Sequence, residues 1–272
     1  MAPRRFGVEL SPDQVSVWAR GDGLVLDEPA VLARQRGSGR GLAFGIAALE
    51  LAADRADEVE LSWPLGVDRL ADPEAAEQLL RQLIIRVVGR LLFSRHELML
   101  GVSAELSTAS RRVLLQVAMA SGARMAHMMD LPLAAALGAG MPIASWVPMP
   151  LLFLLPGSAQ GALVCHEGLL GHGALAAPRG GWEGTAGLLA LTALVRRLLD
   201  ELPPEQRRGA MESGIALGGR GVTLPLVGDH LNAATALEPH VLADPSYCVA
   251  KGTEVALARI DSLGSEGLLY LR

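Results

Sequence analysis

The residues best placed to do chemistry lie in Leu151 to Ala162, LLFLLPGSAQGA, where an apolar strand runs into a Gly/Ser turn. Such a turn holds phosphate because glycines let backbone N–H groups approach the oxygens, while a carboxylate ending the strand positions Mg²⁺ beside them. Here the strand ends Leu154-Leu155-Pro156 and the turn keeps only Gly157. The carboxylate is missing, and proline offers no N–H. The framework of a phosphate site is kept and its working groups are not. Other reactive residue types form no pattern. His127, His166, His172, His230 and His240 share no metal-ligand spacing. Ser103, Ser107 and Ser110 precede or open a helix, where hydroxyls cap N–H groups. Met125, Met128 and Met129 read as packing.

Composition bounds what the elements around that turn can be. A chain of 272 residues with half of them hydrophobic can bury a sizeable core as one bilobed unit. Aromatics make up 4%, so the core must be built of Leu, Val, Ile, Ala and Met. A net charge of −5 and scattered arginines, with Lys251 the one lysine, argue against a nucleic-acid partner. Cys165 and Cys248 fit neither a disulfide framework nor a metal site and indicate a reducing cytosol. No signal peptide is expected behind MAPRRF, and the most apolar run, Met141 to Leu155, is too short and too broken by proline to span a bilayer.

The elements that must position the turn come in two similar halves. Arg5–Leu10, Gln14–Ala19 and Leu24–Ala33 read as a meander of strands joined by polar turns. Leu42–Ala53 reads as an Ala-rich helix. Asp72-Pro73-Glu74 then opens a strong helix whose apolar residues recur at helical spacing to Val87. A strand at Leu98–Val102, a helix at Thr108–Ser121, a strand at Arg124–Met129 and a helix at Leu133–Gly138 complete this half. The second half repeats the theme: strands at Pro150–Leu155, Ala162–Cys165 and Gly173–Ala176, a helix from Glu183 to Glu201, strands at Gly214–Leu217 and His240–Leu242, and a helix at Ser246–Ile260. Two such copies predict two related α/β lobes facing a cleft.

The residues also carry a resemblance over nearly the whole chain. GDGLVLDEPAVLA (21–33), LADPEAAEQLLRQLI (70–84), LPLAAALGAGMPI (131–143), LPPEQRRGAMESGIALGGRG (202–221) and ADPSYCVAKGTEVAL (243–257) stand in the order and spacing of the MreB family of bacterial actins. The resemblance implies an α/β actin-like fold, a duplicated ribonuclease H-like unit, with a first lobe at 1–144 and a second at 145–272. A reduced small subdomain is expected at about 34–68. The second lobe's inserted subdomain is expected to be absent, because Glu183 runs straight to Pro203-Pro204.

Against the family pattern, the working positions depart. Glu9-Leu10-Ser11-Pro12 stands where the family has Asp-Leu-Gly-Thr, and Leu154 to Ala159 stands for its second phosphate loop. Thr108 takes the place of its water-activating Glu. Gly218, Gly219 and Gly221, with Arg220 inserted among them, match the adenosine loop, and Gly181 and Glu183 match a Gly-Asp-Glu motif in which Trp182 replaces the Asp. These five glycine and glutamate positions are the vestigial nucleotide site, and Arg220 is expected to point to solvent.

The resemblance thus implies a non-catalytic protein of cell shape or wall organisation with no required cofactor, ATP retention being the less favoured outcome. Its partners are expected to be itself or a complete MreB-type actin, in the cytoplasm or at the inner face of the membrane. Arg90, Leu91, Leu92, Phe93, Ser94 and Arg95 fall where the family carries a membrane-inserting loop, and an apolar tip between arginines suits an anionic surface. The competing reading is that Leu91 to Phe93 close the core. Two other functions stay open on this fold: a residual ATPase or phosphotransferase, and a soluble adaptor that does not polymerise.

Overall fold

One strand topology is used twice in the computed structural model, which describes residues 4–88 and 96–263. In the first sheet, β1 (Arg4–Leu10), β2 (Gln14–Ala19) and β3 (Gly23–Pro29) form an antiparallel meander. A small satellite follows, made of β4 (Leu32–Gln35), β5 (Gly41–Phe44), α1 (Ile46–Asp54) and β6 (Val59–Ser62), with strand order β5-β4-β6. The chain returns through α2 (Pro73–Val88) to β7 (His96–Val102), parallel to β1, and through α3 (Thr108–Ala120) to β8 (Ala123–Asp130). The order is β3-β2-β1-β7-β8.

After α4 (Leu131–Gly138), the second sheet repeats this plan with the meander β9 (Met149–Leu154), β10 (Ser158–Cys165) and β11 (Gly168–Ala176). Helices α5 (Thr185–Asp200) and α6 (Pro204–Ser213) lead to β12 (Ile215–Gly219), parallel to β9. Then α7 (Leu224–Thr235) leads to β13 (Pro239–Val241), giving the order β11-β10-β9-β12-β13, and α8 (Cys248–Leu263) follows. Only residues 201–203 separate α5 from α6.

Burial follows the alternation of the strands. Phe6, Val8, Val17 and Leu98 face Leu79, Leu80 and Leu83 of α2, while Leu152, Leu154 and Leu217 face Leu191, Leu194 and Leu198 of α5. A third core lies between the sheets: Met99, Leu151 and Phe153 pack with α4 and α8. Helix α8 lies against β1 of the first sheet as well as against α4. Gly7 is required there, since a side chain would overlap the Glu254 backbone.

Helix α2 begins where Asp72 accepts the Ala75 N–H at 3.0 Å, with Pro73 in the first helical position. Asp72 also holds Arg34 at 2.5 Å. Asp72→Ala is therefore expected to lower stability by about 1 kcal/mol through the lost cap alone, read from urea unfolding midpoints.

Two sequence expectations are corrected. Leu24–Ala33 is not one strand but the end of one sheet and the start of another, with Ala30 and Val31 between β3 and β4. The helix expected over Leu42–Ala53 starts only at Ile46, because 41–44 pairs with β4 and Gly45, at φ 68°, breaks the run. Helix α7 escaped the sequence reading, since Pro225 and Gly228 look like loop residues. Pro225 sits in the first turn, where a missing N–H costs nothing, and Gly228 lets the helix approach Pro239.

Candidate functional site

The duplicated topology sets two hairpin turns face to face: 11–13 after β1 and 155–157 after β9. Across this gap the Asp13 carboxylate accepts the Ser158 hydroxyl at 2.6 Å and the Gly157 N–H. A Cβ at Gly157 would overlap Asp13 Oδ1, so a larger residue there would displace the carboxylate from this turn. The donors of the phosphate-type turn thus hold a carboxylate from the other lobe.

The loop after β12 completes the gap. Gly219, at φ 120°, lies against Leu154 so closely that any side chain would overlap its carbonyl oxygen, and its N–H donates to Pro245 O at 2.8 Å. Arg220 N–H in turn donates to Leu154 O at 2.8 Å. So pinned, the loop sends the Arg220 side chain into the first lobe. Nη1 meets Asp27 Oδ1 at 2.5 Å; Nη2 lies 3.3 Å from Glu9 Oε2, 3.0 Å from Ser16 Oγ and 2.5 Å from Ser246 O. The guanidinium also sits 4.9 Å from the Tyr247 ring centre. Its side chain is 14% exposed. The expectation that Arg220 points to solvent is therefore corrected, because three acceptor groups on β1, β2 and β3 converge on it.

Charge inside the gap is unusual. Burial pushes the Glu9 carboxyl from 4.5 up to about 7, against the pull of Arg220 and of the Ser11 hydroxyl. Burial also raises Asp13, partly offset by Ser158. At Asp27 burial acts the same way, but the Ser16 hydroxyl and Arg220 outweigh it and the carboxyl is held below its ordinary range. Because the folded value of Glu9 lies above the unfolded one, its contribution to stability is complete below 4.5 and is lost as pH rises through about 7. Glu9→Gln is expected to remove that loss, so the variant gains on the native chain as pH rises across this window, measured by denaturant unfolding at several pH values.

The remaining sequence-selected residues surround the same loop. Trp182 is wholly buried and donates its indole N–H to Leu155 O at 2.6 Å. Glu183 accepts the Thr223 N–H at 2.6 Å, which draws its carboxyl downward. Gly218 packs on Phe153 and Leu242, Gly221 on Pro156, and Gly181 turns at φ 72° before α5. Gly181, Glu183, Gly218, Gly219 and Gly221 are thus brought together, and each serves a contact within the chain. Thr108 lies exposed at the start of α3. Arg90, Leu91, Leu92, Phe93 and Arg95 lie outside the described residues.

Sequence reading missed Asp13, Ser16, Asp27, Ser158 and Tyr247. One signal was available: Gln14 and Ser16 alternate with buried Val15 and Val17, and Ser16 stands in register with Asp27. Two polar neighbours on one strand face mark a surface that meets something polar.

These groups do not fit a phosphate with its metal. The Gly157 and Ser158 donors are taken by Asp13, Pro156 has no N–H to give, and Glu9 and Asp27 are paired with Arg220. Among the described residues, no three His, Cys, Asp or Glu side chains are placed to hold a metal ion.

Two sheets of identical strand order, joined by crossing helices and meeting at facing hairpin turns, define an actin-like α/β protein. The MreB/Mbl protein family matches residues 3–152 and 185–265, and this chain belongs to that family. The unmatched stretch, 153–184, holds the β9–β10 turn and Trp182. The cell shape-determining protein Mbl of Bacillus subtilis is 29% identical over 143 residues, 53% of this chain. The chain spans 43% of that relative's length in this match. The cell shape-determining protein MreB of Pasteurella multocida is 24% identical over 334 positions, covering 96% of this chain and 95% of the relative. That alignment is longer than the 272-residue chain, so the relative carries segments with no counterpart here.

Among solved structures, MreB5 of Spiroplasma citri bound to ADP superposes with a TM-score of 0.83 at 18% identity, over 97% of this chain and 99% of that one. The MamK double helical filament reaches 0.74 at 15% identity, over 94% and 99%. Among the described residues no helix is long and apolar enough to cross a membrane.

Proposed function

We propose that this chain is a non-catalytic MreB-like cytoskeletal protein, active in cell shape or wall organisation through assembly with itself or with a complete MreB-type actin. The observation that carries this reading is the cleft: Asp13 fills the donors of the second turn and Arg220 the carboxylates of the first lobe. No cofactor is required, because the positions that would meet phosphate and metal already bond to each other. The relatives' role in cell shape supports the process, and the MamK filament supports assembly as the working mode.

The lobes are read as 1–144 and 145–272, with the satellite sheet as the reduced small subdomain of the first. The direct run from α5 into α6 supports loss of the second lobe's inserted subdomain. Its absence removes one wall of the cleft and part of a longitudinal polymer contact. Gly181, Glu183, Gly218, Gly219 and Gly221 are the remnant of a nucleotide site. Membrane attachment is assigned to Arg90, Leu91, Leu92, Phe93 and Arg95, at the cytoplasmic face.

The deciding experiment is turnover of Mg²⁺-ATP under conditions where a complete homologue is active. No release of phosphate above background is expected, and clear hydrolysis overturns the reading. That result would favour the rival, a residual ATPase, for which the ADP-bound and AMPPNP-bound Spiroplasma neighbours speak. Co-sedimentation with anionic vesicles tests the membrane arm: the native chain is expected to pellet and the Leu92→Asp, Phe93→Asp double variant to stay in solution.

A further inference from the structure

Two seats of opposite sign face each other in the cleft, and the chain fills both. The anion seat is the Gly157 N–H with the Ser158 hydroxyl, and its occupant is Asp13 from the other lobe. The cation seat is Glu9, Asp27, the Ser16 hydroxyl, the Ser246 carbonyl and the face of Tyr247, and its occupant is Arg220. We infer that Asp13 and Arg220 are built-in surrogates for an anionic ligand and its counter-cation, clamping the two lobes in one closed arrangement that needs no ligand. The inference rests on the non-catalytic reading above and adds a conformational consequence to it.

The occupants are exchanged: the first lobe supplies the anion that fills the second lobe's turn, and the second lobe supplies the cation that meets Glu9, Ser16 and Asp27 of the first. Opening the cleft breaks both sets of bonds together. It would also strand Glu9, which is fully buried, without the guanidinium that offsets its charge. Arginine suits the role because its guanidinium stays charged at any working pH and its fork reaches several acceptors at once. Here two nitrogens serve four oxygens on three strands and the segment before α8. The backbone that carries Arg220 is fixed on either side, since Gly219 and Gly221 pack closely against Leu154 and Pro156.

The polar bridge extends beyond the two seats. Gln160 Oε1 accepts the Ala104 N–H at 3.4 Å, and His172 Nδ1 lies 2.7 Å from Glu105. Both contacts join the same two lobes farther along the junction. A ligand shifts a conformational equilibrium only by its differential affinity for the two states, and a tethered occupant competes at high effective concentration. The chain therefore presents one fixed lobe arrangement to any assembly partner, whatever the nucleotide concentration.

Spin labels on Glu50→Cys of α1 and Asp229→Cys of α7, both exposed, report lobe separation by pulsed electron resonance, the native Cys165 and Cys248 being buried. The otherwise native chain is expected to give one narrow distance distribution, unchanged by Mg²⁺-ATP. Arg220→Ala and Asp13→Ala are each expected to broaden it and shift it to longer distances, and Arg220→Lys, which keeps the charge and loses the fork, to fall between. Circular dichroism establishes that each variant is folded; if Arg220→Ala is not, Asp13→Ala and Arg220→Lys carry the test. The clamp is overturned if Mg²⁺-ATP moves the native distribution, or if the folded variants superpose on it. The turnover assay stands apart: hydrolysis with an unmoved distribution removes the non-catalytic reading and leaves the clamp, while superposing variants without hydrolysis do the reverse.

Discussion

Gly252→Ala is expected to lower the stability of the chain by about 3 kcal/mol or more, at or beyond the upper end of ordinary overpacking. The added methyl would overlap the carbonyl oxygen of Ala134 and come within 2.7 Å of the Gly138 N, both backbone atoms of α4. Backbone cannot rotate away as a side chain can. The crossing is reciprocal, since a Cβ on Gly138 would overlap the Cys248 carbonyl oxygen on α8. Nor can α8 retreat, because β1 lies on its other side and Gly7 is already pressed against Glu254. Urea unfolding against the adjacent Lys251→Ala gives the measure. That control loses only a partly exposed ion pair with Asp244, for which about 1 kcal/mol is the ceiling. A Gly252→Ala chain as stable as the control would show that the two helices can part without cost.

Trp182→Ala is expected to cost about 4 kcal/mol, the range for deleting a large aromatic from a packed core. Trp182 heads the wholly buried side chains by size and joins Leu152, Leu154 and Leu191 in the core under the second sheet. Two effects add in this variant: the cavity, and the loss of the indole N–H from Leu155 O. Trp182→Phe separates them. It keeps most of the volume and leaves the Leu155 carbonyl with its weaker partner, the Ser158 N–H at 3.4 Å, so a loss of about 1–2 kcal/mol is expected. Thermal unfolding of the two variants side by side checks the split. Equal losses would assign the whole effect to the hydrogen bond.

How much of this was legible before the structure depends on the kind of interaction. The meander and the return strands were readable as short apolar runs bounded by turn residues, and Phe6, Val8 and Leu10 on one face of β1 show the period of two even though the strand is buried on both faces. Asp72-Pro73 marked the start of α2 through a local hydrogen bond three residues long. Helix α7 was not readable, because its Pro225 and Gly228 carry breaker signals whose weight depends on position within the helix. The emptied phosphate turn was visible in Pro156 and Leu154 as residue types. What fills it was not, since Asp13 and Ser158 stand 145 positions apart and Arg220 and Glu9 stand 211 apart. Leu154 and Pro156 as residue types point to a dry junction. The junction is closed but polar, because its closing groups come from strands that no local pattern links to that turn.

The seating of α8 against β1 has a consequence for the order in which the molecule can be made. During synthesis β1 emerges long before the helix that covers one of its faces, which begins only at Cys248. Until α8 has left the ribosome the first sheet has an unfinished side, and Glu9 waits for its cation until Arg220 is translated. Contacts of such long sequence separation close late and slowly, and an uncovered sheet face invites association with other chains in the interval. β1 and α8 thus belong to a single folding unit, and the period between translation of the strand and of the helix is when the nascent protein most needs shielding.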